Sequence, residues 1–433
     1  MMEARARGAW AGPMEIAPTR YRPLLLALFL SALAVRIGVT LRFQGLASPP
    51  DESGYPDQVV YDNLAYRLSQ GLGYTKADGQ ATAFRTPGTS LTLLPVYLVF
   101  GRNYAALRVW MCLLSAATVL VLAWFTRRAF GTTAALCAAA VLALDPGHFY
   151  YAQHLGSESP YCLLATLTTG ATLCAFESSD RRARAGWSVA AGLFSGLATL
   201  VRPQFVFVFG LIALGALLAR ARRRLVPLVA LQAGVFIACL APWLVRNAVV
   251  MGSPTLSTLS GCLFFGTHNE IITTSPQRGA WMRPDPLVTS DWPTEEVGYD
   301  RRCWKAGLDF VRARSELLPG LVYHKFRRLV SPFAGTDNAL LRRAWALGWL
   351  ATAPFVLAGA FLAWRANRLA TCIVSAHLGG LVLLTLVFCG TVRYRHTVSP
   401  QLAGLAGVAV AALVERVRRG RKGTPEDQRA GVR

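Results

Sequence analysis

Apolar residues along this chain come in long unbroken blocks, without the strict alternation of a half-buried strand. The first block, Pro23 to Phe43, is long enough to cross a bilayer. A mostly polar stretch rich in Pro, Gly and charge follows as far as about Tyr104, and it predicts a loop of short interfacial helices. Further blocks lie at 105–126, 133–149, 158–176, 187–200, 203–219, 225–248, 345–364, 370–390 and 397–414, so about ten membrane-crossing helices are expected in all. The pair 187–200 and 203–219 is short, with only Val201-Arg202 between them. Val249 to about Leu341 is too polar to cross and forms a second long loop folded over the membrane surface. The pattern predicts an all-α polytopic membrane protein with an N-terminal arm over 1–22 and a transmembrane domain over 23–414. That domain includes external loops at 44–104 and 249–344, and a basic tail occupies 415–433.

Composition strengthens this picture. With 53% hydrophobic and 16% charged residues and a mean hydropathy of +0.37, the chain is too apolar for a water-soluble fold of its size. A net charge of +22 raises nucleic acid as a partner, but the basic residues sit between apolar blocks and no run interleaves them with exposed aromatics. The expected partner of this charge is the lipid bilayer. Arg5, Arg7, Arg20 and Arg22 precede the first block, so the N-terminus stays in the cytoplasm and the chain emerges on the far side near Gln44. No small-residue cleavage site follows, and an uncleaved anchor is expected. Counting crossings from there puts Arg127-Arg128, Arg181 to Arg184, Arg220 to Arg224, Arg365 to Arg368 and the tail Arg416 to Lys422 on the cytoplasmic side. All are basic, as that side requires. The nine cysteines show no metal-ligand spacing. Cys262 and Cys303 fall in the second external loop, where either a disulfide or two thiols fit the sequence.

Another set of arginines breaks the positive-inside bias: Arg202, Arg246, Arg393 and Arg395 all fall at the external level. Cations on the translocated side of short loops are disfavoured, so they need a reason, and an anionic phosphate at the outer surface supplies one. Interfacial anchoring is the plain alternative for any single Arg. Arg85, before an apolar helix in the first loop, is either a further anion ligand or a snorkelling side chain. In the same loop Asp57 opens a short helix and shares a face with Tyr61, Leu64 and Leu68. It is either a reactive carboxylate or an N-terminal charge favoured by the helix dipole. Asp62 points elsewhere and is expected to be solvated. Glu158 stands at the start of an apolar helix with the same two readings, dipole partner or acid held near a cleft. No cofactor is required, and Asp51, Glu52 and Asp57 are close enough in sequence to leave a divalent metal open.

Taken in order, these pieces resemble the bacterial GT-C glycosyltransferases of the protein O-mannosyltransferase and aminoarabinose-transferase type, including the Rgt-like galacturonosyltransferase branch. The resemblance is carried by Asp57 with Tyr61 and Leu64-Ala65, Gly71-Leu72-Gly73-Tyr74, Arg85-Thr86-Pro87-Gly88, Gly101 with Ala106-Leu107-Arg108, and Ser157-Glu158. Gly196 to Pro203, Pro242-Trp243 with Arg246-Asn247, Gly252 to Gly266, and Arg393-Tyr394-Arg395 with Pro400 complete it. Where family members place Asn-Asn after the Gly252 to Gly266 stretch, this chain has His268-Asn269-Glu270. The resemblance implies a polyprenyl-phosphate sugar donor and a glycan, lipid or protein acceptor. It also implies an active site on the periplasmic or extracellular face of the inner or plasma membrane. Asp57 and Glu158 would be its catalytic carboxylates, and Tyr61, Arg85, Arg202, Arg246, Asn247, Arg393 and Arg395 would bind substrate. The sugar is left open among mannose, arabinose, galacturonate and others.

Two other classes fit the hydropathy. A secondary transporter would place ionisable groups near mid-bilayer, whereas here only Arg36 clearly sits inside a span and the acids collect in external loops. A non-catalytic member of the same fold is the other alternative.

Overall fold

The structure, a computed structural model, describes residues 18–51, 55–333 and 338–422. The expectations for 1–17, Glu52 and 423–433 lie outside these residues. The described chain is built from α-helices: α1 (Pro18–Phe43), α2 (Asp57–Ser69), α3 (Gly88–Phe100), α4 (Tyr104–Phe130), α5 (Thr132–Ala143), α6 (Pro146–Tyr151), α7 (Glu158–Glu177), α8 (Arg181–Val201) and α9 (Phe205–Leu218). They continue with α10 (Arg222–Met251), α11 (Ser260–Phe265), α12 (Glu270–Thr274), α13 (Glu296–Ala313), α14 (Leu318–Val330), α15 (Ala339–Ala366), α16 (Arg368–Val387), α17 (Val392–His396) and α18 (Ser399–Lys422). The protein is an all-α polytopic membrane protein, as the hydropathy blocks predict.

Every predicted block is helical, but among the described residues six helices, α1, α4, α10, α15, α16 and α18, are long and apolar enough to cross a membrane by length and composition. The rest of the expected ten are shorter or more polar. The block at 133–149 is cut in two because Asp145 precedes a proline, which disfavours helical backbone. Asp145 is extended and its carboxylate caps α6 by accepting from His148 N at 3.0 Å. Of the short pair expected at 187–200 and 203–219, the second is α9, which follows α8 across Arg202 and spans 14 residues.

Helices approach closely where side chains are small, as expected where lipid cannot drive association. A Cβ on Gly359 would fall 1.8 Å from Leu405 O, and one on Gly407 would fall 2.5 Å from Ala138 N, so α18 is wedged between α15 and α5. The buried Arg36 of α1 donates from Nε to Ser115 Oγ at 2.8 Å, tying α1 to α4.

The basic turns gather at one end. Arg128 pairs with Glu177 at 3.3 Å, Arg184 donates to Arg224 O, Arg224 donates to Ser178 O, and Arg127 lies over the Tyr21 ring. Glu158 stands at the other end of α7, which over 20 residues is about 30 Å away.

Asp62 departs from expectation. It is buried and receives Tyr97 Oη, Arg102 at 2.6 Å and Tyr104 Oη at 3.5 Å, because α3 and the start of α4 cover the side of α2 taken for solvent. In the second long loop α11 packs on α13, bringing the Cys262 and Cys303 sulfurs to 3.7 Å without a bond between them.

Candidate active site

Five sequence segments converge beyond the start of α7. Asp57 begins α2 without a side-chain cap of its own. Its Oδ1 pairs with Arg85, and its Oδ2 with Arg393 at 2.7 Å. Glu158 Oε1 receives Arg393 Nε at 2.6 Å and Arg202 at 2.9 Å. Arg393 on α17 therefore joins the two carboxylates. Arg202 also reaches Ser157 Oγ at 3.2 Å.

Local sequence explains why these groups meet. A Cβ on Gly88 would fall 2.5 Å from the peptide joining Leu200 to Val201, so only glycine lets α3 start against the end of α8. Thr86 Oγ1 adds a bond to Val201 O at 3.3 Å. The Arg85-to-Gly88 motif is thus pressed onto the segment that carries Arg202. Gly156 acts likewise: a Cβ there would fall 2.6 Å from Tyr55 Oη and 2.8 Å from Glu158 Oε2.

Tyr55 is the residue the sequence reading missed. It donates to Glu158 Oε2 at 2.5 Å and accepts from Arg393, whose guanidinium also lies 4.4 Å from its ring centroid. The His154 ring stacks on it at 4.7 Å. Burial pushes the Tyr55 hydroxyl well above its ordinary range, so it stays a proton donor. Its only sequence signal is a position two residues before Asp57.

Three guanidiniums against two carboxylates leave this cluster one positive charge in excess. Burial pulls the Asp57 carboxyl upward, but Arg85 and Arg393 outweigh it and hold it below the usual carboxylate value. The Asp57 side chain is 14% exposed and that of Arg393 28%, so the cluster is open to a ligand, while Glu158 at 3% is a buried support. Tyr61 borders it, with Arg85 5.8 Å from its ring centroid.

Other residues singled out in the sequence lie apart. Arg246 donates to Thr82 O and Tyr74 O, both at 2.8 Å, and fastens the back of the first loop. Asn247 accepts from Arg246 and donates to Thr255 O. Arg395 donates to Leu329 O and Ser331 O. At the His268-Asn269 departure, Asn269 caps α12 and His268 Nε2 meets the buried Lys325 Nζ at 3.0 Å. Among the described residues no group of three or more His, Cys, Asp and Glu side chains is placed to hold a metal ion.

Residues 85–245 match the family described as dolichyl-phosphate-mannose-protein mannosyltransferase. No curated protein matches the chain. Among solved structures, the archaeal oligosaccharyltransferase AglB from Archaeoglobus fulgidus, in complex with an inhibitory peptide and a dolichol-phosphate, is similar with a TM-score of 0.54 and 14% identity, over 92% of this chain and 51% of that one. The same organism's oligosaccharyltransferase tethered with an acceptor peptide gives a TM-score of 0.55 at 14% identity, over 94% and 51%. ArnT from Cupriavidus metallidurans bound to undecaprenyl phosphate gives 0.44 at 18%, over 88% and 77%. The chain spans about half the length of the archaeal enzyme it matches. The family match is thus confined to residues 85–245, and the likeness to the archaeal structures is one of fold.

Proposed function

We propose that this protein transfers a sugar from a polyprenyl-phosphate carrier to an acceptor hydroxyl on the non-cytoplasmic face of the membrane, with inversion at the anomeric carbon. The carrying observation is that Asp57 and Glu158, distant in sequence, are interleaved with Arg85, Arg202 and Arg393 at the end opposite the basic turns. The family match over 85–245 and the dolichol-phosphate in the archaeal neighbour support a lipid-phosphate donor.

The chemistry follows from the charges. Breaking a sugar–phosphate bond releases a stable anion, so the departing phosphate needs fixed positive charge more than a proton. Arg85 and Arg393 supply it from the open side, and Arg202 with Glu158 keeps Arg393 in place. In the free site those arginines hold Asp57 as a carboxylate of low basicity. A phosphate drawing on the same guanidiniums relieves Asp57 of them, so its proton affinity rises once the donor is bound. Asp57 then takes the acceptor hydroxyl's proton as that oxygen attacks the anomeric carbon and the carrier phosphate leaves with the bonding pair. Opposite-face attack gives inversion, by the logic of inverting hydrolases.

The test is Asp57→Asn in proteoliposomes with a radiolabelled polyprenyl-phosphate sugar. Transfer should fall by on the order of a hundred- to ten-thousand-fold while carrier binding persists. Undiminished transfer removes Asp57 from the role of base.

A further inference from the structure

On the other side of α17 lies a cavity of about 260 Å³, between α5, α15 and α18. Its walls are apolar, from Leu144, Trp349, Val356 and Leu402, and its α15 lining runs from Trp345 to Val356, roughly 16 Å at the helical rise. A smaller cavity of about 100 Å³ shares Leu144 and lies against Leu28 and Val35 of α1, so apolar surface continues around the end of α5.

One end is polar, with Asp145, Arg395, His396 and Ser399. Arg395 is fixed there: one amino group donates to Leu329 O at 3.1 Å and Ser331 O at 2.8 Å, and the guanidinium sits 3.9 Å above the Trp349 ring centroid. Asp145, the acid on this side, caps α6 by accepting from His148 N at 3.0 Å and lies near enough to Arg395 for their charges to interact. His396 is 3% exposed; its Nδ1 faces Ser399 Oγ at 3.3 Å, and its Nε2 has no hydrogen-bond partner. Its ring packs against Gly147 of α6, where a Cβ would fall 2.5 Å from Nε2, so the polar group that this end offers a ligand is the Arg395 guanidinium.

We propose that this cavity binds an anionic phospholipid of the bilayer, with an acyl chain along α15 and the phosphate at Arg395. The occupant is not the sugar carrier at its reactive position, because a wall of aromatic rings intervenes. Tyr151 touches His396 at 5.0 Å and Trp345 at 5.8 Å on one side, and Tyr55 at 6.3 Å on the other. Arg393 and Arg395 project from the same five-residue α17 to opposite sides of that wall. A lipid seated at Arg395 therefore braces the helix that presents Arg393 to the carboxylates.

The test needs no turnover, so it stands or falls apart from the glycosyltransferase reading. The full chain in detergent is titrated with phosphatidylglycerol, and retained lipid is read by native mass spectrometry. Arg395→Gln should bind on the order of tenfold more weakly, as expected for losing a charge-assisted hydrogen bond. Ala351→Trp, which fills the cavity from an exposed position on α15, should abolish retention with Arg395 intact. Equal retention by all three proteins overturns the proposal, as does displacement of phosphatidylglycerol by equimolar polyprenyl phosphate.

Discussion

Both ends of this bundle are rich in arginine, and the two sets are held in opposite ways. At the basic-turn end, Arg224 is exposed and Arg184 half-buried, both donate to main-chain carbonyls, and Arg128 is 42% exposed beside Glu177. At the far end, Arg202 is 12% exposed and each cluster arginine meets a carboxylate. The bilayer surface explains the first set, since exposed cations cost little and orient the chain. It does not explain the second. Desolvated cations are retained only with partners, and removing one partner leaves the other buried and uncompensated.

That contrast can be broken by mutation. The largest effect is expected for Arg393→Ala, which strips both Asp57 and Glu158 of a partner: about 3–5 kcal/mol of stability in a chemical-denaturation series. A loss below about 1 kcal/mol would mean the cluster is as solvated as the other end.

Acid gives a smaller effect with a fixed sign. The Asp57 carboxyl is held below its unfolded value near 3.9, so its pairs contribute fully above that pH and are lost as pH falls through the lower folded value. The stability gap between wild type and Asp57→Asn should therefore close on acidification below about pH 4. A gap that widened would reverse the assigned direction. Smallest of all, Arg224→Ala should move stability by no more than about 0.5 kcal/mol, as measured in the same denaturation series.

The same contrast explains what was legible in the sequence. Block hydropathy and basic turns report on lipid and on the membrane surface, which act on each segment separately, so helices and ends could be read one at a time. The break at Asp145-Pro146 was also written locally, but its apolar flanks concealed it. The side of α2 that Asp62 faces depends on α3 lying against it, which no period within α2 encodes. Among the arginines, Arg393 and Arg395 stand two residues apart with equal claims in sequence, yet a short helix sends one to the acids and the other to a cavity. Arg246 carried the same signal and serves main-chain carbonyls. Tyr55 was invisible because its importance lies in Glu158 and Arg393, residues brought to it only by the fold.

The most direct test compares two arginines that look alike in sequence and differ in placement. Transfer of radiolabelled sugar from polyprenyl phosphate would be measured in proteoliposomes for Arg393→Gln and Arg246→Gln. Arg393→Gln should lose transfer by on the order of a hundred- to a thousandfold, as for other fixed charges facing a leaving anion. Arg246→Gln, which loosens the loop's fastening away from the carboxylates, should cost less than about tenfold, or about 1.4 kcal/mol of activation free energy. Equal losses, or the larger loss at Arg246, would contradict a phosphate site centred on Arg393.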